Sequence, residues 1–299
     1  MTIKKIRINC KDFIQLESTP SQNINHLLDC DVLLCFLLNK ERSWLFAHDD
    51  TTLTPKQYNK FLTLCKKRST GLPIAYITKK KEFFGYDFFV NKNVLIPKPD
   101  TEILIEQVLI EISQNSNYSS FADICTGSGC IALSILNEFK KIKHNNFKFY
   151  ATDISKKALF VAKKNAMSLA KDEFNNKQII FLQGDLCIPI LKKEINVDMI
   201  VTNPPYVPTK IAKELLKDGR NEPRIALDGK INNEDGLKII RRLIPQCYKL
   251  LNTNGKLFME VGEYHAEKVA KIFDNIGFNN IEIIYDYAGL QRVVKATKL

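Results

Sequence analysis

Two short segments hold residue types that could do chemistry. The first is DICTGSGCIAL, residues 123–133. Gly127 and Gly129 permit a sharp strand-to-helix turn and let backbone amides approach a ligand at a helix N-terminus. Asp153 ends the next apolar run, where a carboxylate is placed to accept hydrogen bonds from ribose hydroxyls. The second segment is Asn203-Pro204-Pro205-Tyr206. Two successive prolines can neither extend a ladder nor begin a helix, so the chain is stiff there. The Asn203 side-chain oxygen and the Pro204 carbonyl can then accept both hydrogens of one NH2 group, and Tyr206 offers an aromatic wall to a planar group. Gly127-x-Gly129-x-x-Ala132 alone also satisfies the dinucleotide fingerprint, which keeps an NAD oxidoreductase open, as it does a tight turn with no ligand. Neither reading accounts for the tetrapeptide.

The elements around these segments alternate. FADI, FKFYAT, QIIFL, DMIVT and KLFMEV read as strands with helical segments between them, which implies a parallel sheet with helices on both faces. IEIIYDY and AGLQRVVKA read as a closing hairpin turning at Ala288-Gly289, so one strand should be antiparallel. Residues 24–38 are leucine-rich and helical. Thr54-Pro55-Lys56-Gln57 forms a helix start with a capping box, and Gly71-Leu72-Pro73 forms its stop. KEFFGYDFFVNKNVLI (81–96) suggests a β-hairpin or short paired strands, ended by Pro97-Lys98-Pro99. A helix follows over Thr101–Ile112, and QNSNYSS (114–120) is a polar loop.

The chain has 299 residues, 45% apolar and 26% charged, values that suit a soluble protein of about two domains and exclude disorder or a disulfide scaffold. The apolar run Leu27–Leu38 is broken by Asp29 and Asp31 and falls short of the roughly 20 residues that span a bilayer. MTIKKIRINCKDF is no secretory signal, so a cytoplasmic protein without membrane contact is expected. Eight cysteines without a Cys-x-x-Cys pair and four scattered histidines give no metal-ligand spacing; reduced, mostly buried thiols are expected. Net charge is +11, and the first 96 residues carry 15 Lys and Arg against 9 Asp and Glu. The clusters Lys66-Lys67-Arg68 and Lys79-Lys80-Lys81 could attract nucleic acid or an acidic protein, or be a solvated face.

Taken together, the motifs resemble the HemK/PrmC family of peptide-chain release factor N5-glutamine methyltransferases. The resemblance covers nearly the whole chain beyond about residue 71. It rests on GLPIAYI (71–77), EFFGYDFFVN (82–91), VLIPKPDTE (94–102), DICTGSGCIAL, ATDIS (151–155), NPPYVP, EPRIALDG (222–229), DGL (235–237) and DYAGLQRVV (286–294). It implies an α/β fold: a seven-stranded, mostly parallel, Rossmann-like class I methyltransferase sheet. A small N-terminal helical domain that holds the release factor (1–78) would join it through a β-hairpin linker (79–96), with the S-adenosylmethionine-dependent methyltransferase domain over 97–299. It implies methyl transfer to the glutamine amide of the Gly-Gly-Gln motif of class 1 release factors, by a monomer with no stable nucleic-acid partner. Asn203 and Pro204 would be catalytic and would bind substrate with Pro205 and Tyr206. Cys125, Thr126, Gly127, Ser128, Gly129, Asp153, Asp185, Leu186 and Asn203 would border S-adenosylmethionine, Asp185 and Leu186 flanking the adenine. Two positions depart from the pattern: Cys125 stands where the family usually has Gly, and Lys98 where it usually has Arg. A ribosomal-protein glutamine methyltransferase and a nucleic-acid amino-methyltransferase share the tetrapeptide. A catalytically dead binding module is the alternative outside enzymes, and Asn203 with both loop glycines argues against it.

Overall fold

The computed structural model describes residues 1–15, 25–115, 117–142, 147–218 and 221–299. Ile24 of the leucine-rich segment and Ser116 of the polar loop lie outside the described residues. Chain packing separates two units, residues 1–80 with 213–221, and residues 81–212 with 222–299.

The first unit is helical. Thr54 caps the helix Pro55–Ser69 through its hydroxyl while the Gln57 side chain returns to the Thr54 amide at 2.9 Å, the reciprocal box expected from the sequence. This helix and His26–Leu38 bury Phe61, Leu64, Cys65, Cys30, Leu33 and Leu34 in a common core. Four shorter helices, Ile3–Ile8, Cys10–Phe13, Arg42–Ala47 and Ile74–Thr78, are too short to show a periodicity and are absent from the sequence reading. Arg68, grouped above with the surface lysines, is 8% exposed and its Nε lies 2.7 Å from Asp29. Its charge is paired inside the unit, because an unpaired buried guanidinium would be strongly destabilising.

The second unit contains a hairpin and a seven-stranded sheet. β1 (Lys80–Phe83) and β2 (Tyr86–Phe89) pair across Phe84-Gly85, both at positive φ, the pattern of a type I′ turn. Residues 94–96, read above as part of the paired strands, are not in a strand. The Asn91 side chain and carbonyl accept from the Asn93 and Val94 amides at 2.9 and 3.1 Å, and this turn ends the pairing. The sheet comprises β3 (Ser120–Ile124), β4 (Lys148–Asp153), β5 (Ile179–Gln183), β6 (Val197–Thr202), β7 (Leu251–Glu260), β8 (Phe278–Tyr285) and β9 (Gln291–Lys298). Its order is β5-β4-β3-β6-β7-β9-β8, and β9 alone runs antiparallel to its neighbours.

That order positions the site. The chain builds outward from β3 to β4 and β5, then returns to place β6 on the other side of β3. Ligands in doubly wound sheets bind beyond the carboxyl ends of strands at such a reversal. The glycine loop follows β3 and the proline tetrapeptide follows β6, so the two segments emerge side by side. Beneath them, Ile124, Ile200, Leu257, Leu243 and Ile244 are fully buried in one cluster, giving both loops a rigid floor.

Candidate active site

A cleft opens beyond the carboxyl ends of β3, β4 and β6, lined by residues of the second unit. Cys125, Thr126, Gly127 and Ser128 form one rim, Asp153, Asp185 and Leu186 a second, and Asn203 and Pro205 a third.

The glycine loop is locked from beneath. Asp123 is fully buried; its Oδ2 accepts from the Thr126 hydroxyl at 2.6 Å and the Ala132 amide at 3.2 Å, which ties the strand end to the first helical turn. Burial pushes this carboxyl up to about 7, against the pull of those two donors. The Thr126 amide donates to the Thr152 carbonyl, the Gly129 amide to the Thr126 carbonyl, and the Gly127 amide to Asp153 Oδ2 at 2.9 Å. The expected presentation of loop amides to a ligand is therefore reduced: these three are satisfied within the protein. Gly129 does not line the cleft. A Cβ there would meet the Ala162 Cβ at 3.2 Å, so its role is close packing against the helix Lys156–Leu169. Cys125 takes φ of +64°, the left-handed conformation that explains a family preference for Gly and costs a side chain on the order of 1–2 kcal/mol. Burial drives its thiol well upward, so it stays protonated.

Asp153 faces the cleft with its Oδ1 held by the Ser155 amide at 2.8 Å. Burial raises its pKa, opposed by the two backbone donors. Asp185 is ion-paired with Arg242, and Leu186 is 7% exposed, its carbonyl accepting from the Thr152 hydroxyl at 2.9 Å.

At the tetrapeptide, Asn203 and Pro205 line the cleft, whereas Pro204 is buried beneath it and Tyr206 is turned aside. The Tyr206 hydroxyl donates to Glu260 Oε1 at 3.1 Å. An aromatic wall supplied by Tyr206 is thus not part of this cleft, and no local pattern marks the acid that holds it. The Asn203 Nδ2 lies 3.4 Å from the Thr101 Oγ1, which leaves its Oδ1 for a ligand. EPRIALDG packs alongside. The Val207 amide donates to the Leu227 carbonyl at 2.9 Å, and Lys98 reaches Glu222 through one contact of 2.9 Å. Lys98 makes that contact as a point charge, without the two-pronged geometry an arginine would bring.

Gly236 fixes the tetrapeptide from outside. At φ +78° its hypothetical Cβ would lie 2.3 Å from the Tyr206 carbonyl oxygen and 2.7 Å from His265. Gly236→Ala is therefore expected to displace the Tyr206 backbone and cost about 2 kcal/mol or more of stability, because both the backbone angle and the space are refused. A denaturant midpoint matching that of the unmodified protein would contradict this.

Several contributing residues escaped sequence reasoning. Ile154, 53% exposed, lines the cleft beside Asp153; an apolar residue directly after a strand-terminal carboxylate is the available signal. Buried Asn165 donates to the Ser128 carbonyl at 2.9 Å and the Phe89 carbonyl at 3.0 Å, joining the glycine loop to the hairpin. Nothing in its local sequence marks it.

The residues fit a nucleoside carrying an amino-acid tail, as S-adenosylmethionine does. A Cβ on Gly127 would meet nothing within 4 Å, so the loop leaves open space where the tail would lie. Asp153 presents carboxylate oxygens to the cleft, and Leu186 and Ile154 present apolar surface beside it.

The PrmC N-terminal domain family model matches residues 22–78, and the N-6 DNA Methylase model matches residues 98–243. A protein of Leptospira interrogans named release factor glutamine methyltransferase is 38% identical over 291 residues, 96% of this chain and 95% of its own length. A protein of the same name from Clostridium acetobutylicum is 37% identical over 274 residues, covering 91% and 92%. A third, from Koribacter versatilis, is 35% identical over 299 residues, covering 100% and 99%.

Proposed function

The chain belongs to the release factor glutamine methyltransferase family, and from that premise we propose that it methylates the side-chain amide nitrogen (N5) of the glutamine in the Gly-Gly-Gln motif of class 1 release factors. The observation that carries this reading at the site is the carboxamide of Asn203, fixed by its contact with Thr101 at the rim of a cleft that also holds Asp153. S-adenosylmethionine supplies an electrophilic sulfonium methyl when bound.

The protein's own task is alignment. An amide nitrogen is a poor nucleophile because its lone pair is shared with the carbonyl. Asn203 Oδ1, which lines the cleft, accepts one of its hydrogens, orienting the nitrogen and stabilising the positive charge it gains during attack. The other hydrogen goes, in this reading, to the carbonyl of Pro204, a buried residue that does not itself line the cleft. Fixing the reacting groups in line is worth about 7–11 kcal/mol of barrier. The stiffness of Pro204-Pro205 and the closeness of Gly236 to the Tyr206 carbonyl support that function. No strong base is required before transfer, since the nitrogen sheds its proton once its charge has developed.

Asp153 holds the ribose, Asp185 and Leu186 flank the adenine, and Cys125 to Ser128 border the methionine portion. In this reading the reaction runs in a monomer in the cytoplasm. No helix among the described residues is long and apolar enough to cross a membrane. The N-terminal unit, residues 1–78 in this reading, holds the release factor. Of its basic cluster only Lys66 and Lys67 are exposed, so Lys66→Glu with Lys67→Glu should raise KM for the release factor roughly 3- to 10-fold at low salt, with kcat retained, as rim charges act mainly on encounter. An unchanged KM across ionic strengths would remove these lysines from the interface.

Competition tests the substrate class. The protein is incubated with labelled S-adenosylmethionine and equal amounts of unmodified release factor, ribosomal protein and DNA. Label should enter the release factor; label confined to either competitor would move the substrate to a related branch.

A further inference from the structure

Arg242 lines the cleft beside Asp185 and Leu186, and its guanidinium donates to Asp185 Oδ2. It stands on the helix Lys238–Leu250, three residues after Ile239, which also lines the cleft. That spacing puts the two side chains on one helix face. Ile239 is buried, whereas the Arg242 side chain is 49% exposed. An ion pair this open adds little to stability, so folding alone does not account for it.

The backbone under Asp185 is firmly held. Leu186 takes φ of +51°, a left-handed conformation that a leucine keeps only where its surroundings over-determine it. The Gly184 amide donates to the Asp153 carbonyl at 3.1 Å, the Ile188 amide to the Asp185 carbonyl at 3.1 Å, and the Thr152 hydroxyl to the Leu186 carbonyl at 2.9 Å. The Asp185 carboxyl has no such redundancy: among the described residues Arg242 is its one hydrogen-bond partner. A guanidinium only donates and a carboxylate only accepts. One oxygen is therefore held, and Oδ1 remains an acceptor on a cleft-lining residue. Leu186, Ile239 and Ile154 add apolar surface to the same cleft. Apolar walls with a fixed acceptor suit a flat heterocycle that carries an exocyclic amine.

We propose that Arg242 is a positioning residue for cofactor selection. By holding one oxygen of Asp185 it fixes the other to accept from the exocyclic amine of adenine, so the cleft prefers an aminopurine over a purine without that amine. The inference deepens, and rests on, the reading that S-adenosylmethionine occupies this cleft with its adenine beside Asp185.

Calorimetric Kd values on the full-length protein, taken without any methyl acceptor, test it. The probes are S-adenosylmethionine and its analogue in which hydrogen replaces the purine amine. The unmodified protein should bind S-adenosylmethionine about 10- to 100-fold more tightly than the analogue, the scale of one hydrogen bond to a charged group. Asp185→Ala should abolish that preference. Arg242→Met should lower it about 3- to 10-fold, the scale of ordering one side chain on binding, and Arg242→Ala should do the same. The lost positive charge acts on both probes alike and cancels in the ratio, as does any general loosening of the cleft. On an Asp185→Ala background Arg242→Met should leave the ratio unchanged.

A preference in Arg242→Met equal to that of the unmodified protein would overturn the proposal. So would an unmodified protein that binds both probes equally, or a ratio that Arg242→Met still shifts when Asp185 is absent. An unmodified protein that binds neither probe would overturn the cofactor reading and the proposal with it. Methylation of a macromolecule other than release factor would move the substrate alone and leave these ratios to decide the role of Arg242.

Discussion

Asn203→Ala should reduce turnover about 100- to 1,000-fold, the scale of losing one oriented polar group aimed at charge that develops in the transition state. Its side chain is half-buried, anchored to Thr101 through Nδ2 and carried on the rigid end of β6. Alanine removes the acceptor without disturbing the prolines or the β6 ladder, so folding should survive. S-adenosylmethionine affinity should stay within about threefold, because the loop, Asp153 and Leu186 are untouched, and the loss should fall in kcat. Normal turnover in a folded Asn203→Ala protein would remove the residue from the chemistry.

Asp153→Ala should fail in the other direction. The carboxyl accepts from the Gly127 amide at 2.9 Å and the Ser155 amide at 2.8 Å. With about four lone-pair positions on a carboxylate, two remain for ribose hydroxyls. Removing it deletes those acceptors and frees the Gly127 amide that shapes the loop. S-adenosylmethionine binding should weaken by about 1.5–3 kcal/mol, the usual worth of hydrogen bonds to a charged group, or about 10- to 150-fold in Kd. Turnover at saturating cofactor should be largely retained, so the two variants separate binding from alignment. Unchanged affinity by calorimetry would exclude Asp153 from the site.

The part of the architecture legible in the sequence was the part governed by short-range rules. Short apolar runs alternating with helical segments marked the strands, the Thr54–Gln57 box marked a helix start, and Ala288-Gly289 marked the hairpin that brings in the antiparallel strand. Glycine and proline marked both loops of the cleft because each restricts the backbone in its own way. Features that depend on three-dimensional partners were not legible. Arg68 reads as one of three adjacent basic residues, yet its partner Asp29 lies 39 residues away and takes it inside. Tyr206 reads as a wall, but Glu260, 54 residues on, draws its hydroxyl out of the cleft. Asn165 and Glu260 look like ordinary helix and strand residues. The left-handed backbone at Cys125 is invisible in a cysteine, and only the departure from the family glycine pointed to it.

The most direct measurement is localisation of the transferred methyl. Unmodified class 1 release factor is incubated with the protein and S-adenosylmethionine, digested, and its Gly-Gly-Gln peptide fragmented by mass spectrometry. One added methyl on the glutamine side-chain nitrogen, absent with Asn203→Ala, is the predicted result. A methyl on another residue of the release factor, or none on it while the protein methylates a different macromolecule, would contradict the account.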